Sequence, residues 1–188
     1  MSDEILGGRR KALEESFFAK HNEKLRRALH AQEAAEARKE ALAAASGIRD
    51  DTVLEALIAL DIAADTVAAL ALVPLVEVAW ADGSIDEKER AAILDAAAKT
   101  GLEKDGASYQ LLQSWLAVHP GTRVRTAWKD YVNALCNTLG TDARRVLKET
   151  ILGRAHRVAE AAGGFLGVGS KVSRSEQAML DELERAFP

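Results

Sequence analysis

The sequence predicts an all-α fold, a bundle of about seven helices preceded by a long N-terminal helix. Three observations predict it. Hydrophobic residues make up 48% of the chain but aromatics only 5%, so the core is built from Ala, Leu, Val and Ile, a mixture rich in good helix formers. Three prolines in 188 residues leave long stretches without a helix breaker. Between clusters of Gly, Pro, Ser and Asp, apolar residues recur three and four positions apart.

The first element is a charge-dense segment from about Asp3 to Ala45, in which Leu6, Leu13, Phe17, Leu25 and Leu29 recur at helical spacing. At 1.5 Å per residue, such a helix is roughly 60 Å long, more than a small domain is wide. Its apolar stripe is narrow and interrupted by His21 and Gln32, which suits a seam for another helix better than a face wrapped by a large core. A protein partner or self-association through this helix is therefore expected, against the plainer reading of a solvated helix packed lightly on its own domain. Ser46-Gly47 ends it, dividing a helical arm at residues 1–48 from a domain at 49–188.

Asp50-Asp51 caps the next helix, Thr52 to about Leu60, and Asp65 starts a third. The uncharged run Thr66 to Val76 reads as a buried core segment. Pro74 lies inside it and removes a backbone donor, so a break or kink is expected near Leu72. Next come a helix from Asp86 to about Lys99, one from Tyr109 to Val118 ending at His119-Pro120-Gly121, one from about Arg123 to Leu139, and one from Thr141 or Asp142 to about Ala162. Gly163 to Lys171 reads as a loop between helices that turns Phe165 and Leu166 inward. Its Ser precedes its Lys and no strand leads into it, so it lacks the order of a phosphate-binding loop.

The stretch Val76 to Leu102 organises the domain. Asp82-Gly83 is a turn signal, Asp86 stands at a helix N-cap, and Glu89 three residues on completes a capping box; Lys99 and Gly101 mark the far end. The same acidic residues have the spacing of the second half of a calcium loop, where oxygen ligands surround a hard cation. The first half is missing, because Val78 and Trp80 stand where carboxylates belong. Asp82, Asp86 and Glu89, supported by Glu77, are thus candidate ligands for a divalent cation such as Ca2+. A capped helix after a turn explains most of them without metal.

The run Ala79-Trp80-Ala81-Asp82-Gly83-Ser84-Ile85-Asp86-Glu87-Lys88-Glu89 resembles the signature of the tellurite-resistance TerB-like domains. That resemblance implies an all-helical domain from about Asp51 onward, a connection with stress response, and a divalent-metal role for Asp82, Asp86 and Glu89. A second copy of the pattern runs from Ser170 to Glu176. Ile85 pairs with Val172, Glu89 with Glu176, Ala92 with Met179 and Ile93 with Leu180, while Gly169 and Ser173 replace Asp82 and Asp86. If a cation binds, the first copy has kept the ligands.

A net charge of −4 gives no electrostatic reason to bind nucleic acid, and the basic pairs of the N-terminal segment are balanced by its glutamates. A single Cys excludes an internal disulfide and suits a reducing compartment, and neither a secretory signal nor a run long enough to span a bilayer is present. A cytoplasmic location follows as the expectation. Cys136 lies among Val132, Leu135 and Leu139 like a small buried hydrophobe, and His21, His30, His119 and His156 show no metal-ligand spacing. No nucleophile set, acid and base pair or cofactor loop can be assembled, so the expectation is a non-enzymatic binding module. The alternative is a structural adaptor or self-association protein that acts through the N-terminal helix without metal.

Overall fold

The computed structural model describes the backbone of residues 2–162 and 172–188, and side chains from residue 23 onward except 162–171. The loop predicted over Gly163 to Lys171 lies outside the described residues. Those described form eight α-helices, one 3-10 segment and no strand: α1 (Ser2–Ser46), α2 (Asp51–Ile58), the 3-10 segment (Val67–Leu72), α3 (Val73–Ala79), α4 (Glu87–Lys99), α5 (Ala107–Ala117), α6 (Thr122–Thr138), α7 (Thr141–Ala162) and α8 (Arg174–Glu184). The chain divides into two compact units, residues 1–40 and 41–188. Seven α-helices after residue 50 and a long helix before it are the all-α architecture the sequence predicts.

The first unit is the greater part of α1. From Glu23 to Arg38 every residue is exposed, and Leu25 and Leu29, one turn apart, keep 60% and 55% of their surface in solvent. An ion pair between Arg27 and Glu23 supports the helix locally at i, i+4 spacing.

The second unit is built around α3. All seven residues from Val73 to Ala79 are buried, as befits a helix that is apolar nearly all round. The 3-10 segment, α4, α6, α7 and α8 pack against it, while α2 packs on α6 and α5 on the 3-10 segment. The predicted third helix is corrected in type by Pro74. In a continuous α-helix the Leu70 carbonyl would accept the N–H that Pro74 lacks; instead the Val73 N–H donates to Leu70 in a 3-10 bond, and α3 starts afresh with Pro74 in its first turn. Trp128 is fully buried on α6 and meets Phe187 edge-on at 6.1 Å.

The two copies of the capping pattern open α4 and α8. Ile93 and Leu180 are both buried, and Ile85, Val172, Ala92 and Met179 are all partly buried against the core. α3 packs on α7, α4 on α7 and α8 on α3. The helix preceding each loop therefore shelters the helix following the other.

Candidate functional site at the acidic corner

The corner begins where α3 stops. Gly83 adopts φ 97°, a conformation that costs a residue without Cβ nothing, and its N–H donates to the Trp80 carbonyl at 2.9 Å. Asp82 Oδ1 then accepts the Ser84 N–H at 3.0 Å. Asp86 Oδ1 accepts the N–H groups of Lys88 and Glu89, both at 2.8 Å, and Glu89 Oε2 accepts the Asp86 N–H at 2.8 Å. The reciprocal capping box at the start of α4 is complete.

Glu89 is buried, and so is Glu176, its counterpart at the start of α8, whose Oε2 accepts the Ser173 N–H at 2.6 Å. Burial pushes the Glu89 carboxyl up to about 7; the Asp86 backbone N–H opposes the rise, and the charges of Asp86, Glu176 and Asp82 add to it. The structure thus brings three of the four predicted residues, Asp82, Asp86 and Glu89, within electrostatic reach of one another. It adds Glu176, which the sequence shows only as a cap.

Electrostatic reach is longer than coordination distance. Among the described residues no group of three or more His, Cys, Asp or Glu side chains is placed to hold a metal ion. Asp82 Oδ1, Asp86 Oδ1 and Glu89 Oε2 are each engaged by backbone N–H groups of the turn and the cap.

Glu77, expected to support the corner, is engaged by Arg125 and His119. Its side chain is fully buried, and Oε2 accepts a hydrogen bond from Arg125 Nη1 on α6 at 2.9 Å, with His119 Nε2 at 3.7 Å. Oε1 has no partner among the described residues. Burial raises the Glu77 carboxyl above its ordinary range, against the pull of Arg125 and His119. Arg125 Nε also lies 3.4 Å from Glu182 on α8, which Lys129 Nζ approaches to 2.6 Å. The chain of charges therefore ties α3, α6 and α8 together inside the bundle.

Two further side chains bind the corner to α5. Trp80 Nε1 donates to the Trp115 carbonyl at 2.9 Å and Arg90 Nη2 to the Leu116 carbonyl at 2.8 Å. Both carbonyls sit in the last turn of α5, where the helix has no donors of its own. No glycine follows α5 to close that turn, a sign in the sequence that donors would come from elsewhere. His119 Nδ1 accepts the Gly121 N–H at 2.9 Å, and its ring meets Trp80 in a T-shaped arrangement, centroids 5.8 Å apart. Cys136 is fully buried on α6, and burial raises its thiol.

Among the described residues no helix is long and apolar enough to cross a membrane. No protein-family model matches the chain, and neither a curated protein nor a solved structure does.

Proposed function

We propose that the protein is a non-enzymatic binding module that engages another helix, a second copy of this chain or a partner, through α1. The observation that carries this reading is the pair Leu25 and Leu29, exposed one turn apart on a helix whose residues from Glu23 to Arg38 are exposed throughout. Alone in water, such a stretch has little besides local ion pairs to hold it helical; packing of an apolar seam against a second helix supplies the missing stabilisation. Sedimentation of the full chain over a wide concentration range tests it, with Leu25→Glu/Leu29→Glu as control. Self-association or partner capture lost in the variant supports the reading. A wild-type chain that stays monomeric, with a set of bound proteins indifferent to the substitutions, rejects it.

A second reading is favoured by the carboxylates around Glu89. A carboxyl pushed up to about 7 by burial and three acidic neighbours is one a divalent cation such as Ca2+ would relieve. The likeness of Ala79 to Glu89 to the TerB-like signature, and the stress-related cytoplasmic role that goes with it, support this reading from the sequence side. Thermal unfolding after chelation, with and without millimolar calcium, magnesium or manganese, decides it. Saturating ion at a hundred times its dissociation constant adds about 2.7 kcal/mol. Asp82→Asn/Glu89→Gln abolishes that gain if these residues are ligands, and a gain that survives the substitutions rejects the assignment.

A further inference from the structure

α4 and α7 pack closely, but they do not fill the space between them. Ala92 and Ala96 of α4 end at Cβ and leave a recess of about 120 Å³, walled by Asp95 and Lys99 from α4 and by Arg154 and Arg157 from α7. Its charges do not cancel. Lys99 Nζ is held by Asp95 Oδ2 at 2.6 Å. Neither Arg154 nor Arg157 has a hydrogen bond or ion pair among the described residues, so two guanidinium groups face the recess with no counter-charge from those residues. Arg157 lies back along its own helix over Gly153, its Nη1 3.9 Å from where a Cβ on that glycine would stand. On a chain of net charge −4 this is a local reversal of sign, not part of a general basic surface.

We propose that this recess binds a small doubly charged oxyanion of the phosphate class, either the free ion or the phosphoryl group of a monoester. The chemistry of the walls selects that class. A guanidinium is a rigid fork of donors suited to two oxygens of one anion, and two forks with an ammonium beside them require more oxygens than a carboxylate possesses. A tetrahedral oxyanion presents three or four oxygens, each able to accept more than one hydrogen bond, so both arginines and Lys99 can share them. A cation meets two guanidinium groups for one carboxylate. The recess has the volume of a few water molecules, so the phosphoryl group alone enters, with any ester substituent left outside.

The test titrates inorganic phosphate into the full chain at constant ionic strength, with chloride as compensating ion, and follows backbone amide resonances and heat. The expected result is a saturable change confined to α4 and α7, absent with chloride. Arg154→Gln/Arg157→Gln, which keeps helix propensity and removes both charges, weakens binding at least tenfold. Asp95→Asn, which removes the one negative wall, tightens it. Glycerol phosphate in place of phosphate separates the two sources: tighter binding assigns an ester, weaker binding the free ion. A response that does not saturate, equal affinity in the arginine variant, or weakening by Asp95→Asn overturns the proposal.

Discussion

Arg125→Met is the most informative single substitution. It keeps the apolar stem of the side chain on α6 and removes the guanidinium, so it strands the fully buried Glu77 carboxylate. Oε2 then loses its 2.9 Å donor and keeps only His119 at 3.7 Å, while Oε1 has no partner among the described residues. Removing one partner of a buried ion pair costs about 3 to 5 kcal/mol, because the remaining charge is left desolvated. For a domain of this size that lowers the melting temperature by roughly 6 to 20 °C. Glu182 keeps Lys129 at 2.6 Å, so the loss is attributable to Glu77. The double variant Glu77→Gln/Arg125→Met has no buried charge left to strand and should regain most of the stability. Denaturant titration of wild type, both single variants and the double variant measures the coupling directly. A cost under about 1 kcal/mol for Arg125→Met, with no recovery in the double variant, would refute the claim that Arg125 compensates the buried Glu77 carboxylate.

Glu89 predicts a pH slope. Its folded carboxyl lies near 7 against 4.5 unperturbed, so between those values the native state holds more protons than the unfolded one and stability falls as pH rises, by about 2 to 3 kcal/mol across the window. Glu89→Gln keeps an acceptor for the Asp86 N–H and should flatten that slope in denaturant titrations at stepped pH; an unchanged slope assigns it to another group. Ser173→Ala removes the acceptor for the Glu176 N–H and should cost about 1 kcal/mol by chemical denaturation, with Ser173→Asp restoring it. Trp128→Ala opens the core against Phe187 and should cost about 3 to 5 kcal/mol by the same measurement.

The parts of this fold that show in the sequence are those written in local chemistry. The capping boxes at Asp86 and Ser173, the stop at Gly101 and the interruption before Pro74 each follow from a side chain acting on its own backbone within a few residues. After α2 it is Asp61, not glycine, that takes a positive φ of 58°, which a short polar side chain tolerates, so no glycine marks that stop in the sequence. Long-range partners leave no such mark. Arg125 stands 48 positions from Glu77, and nothing near either residue signals that they meet. Glu77 looked like a member of the acidic corner because it is close in sequence to Asp82. Glu77 lies within α3, and its carboxylate meets Arg125 on α6 and His119 instead.

The repeat carries one step further. Glu89 and Glu176 occupy equivalent positions, both buried, each closing its own capping box, and the charge of Glu176 adds to the rise at Glu89. A buried glutamate at the third position of a helix is tolerable because the N-cap N–H and the positive end of the helix dipole face it. With two such positions converging, the same arrangement concentrates negative charge where water is excluded, and the desolvation that raises Glu89 follows from the packing of the two halves. The acidity of the first copy is then an addition to a structural cap. Replacing Asp82 and Asp86 by the Gly and Ser of the second copy should keep α4 capped through the serine hydroxyl and lower the Glu89 carboxyl towards its ordinary range. Glu89 titrated by carbon NMR in that variant measures this; a carboxyl still near 7 would show that burial alone sets it.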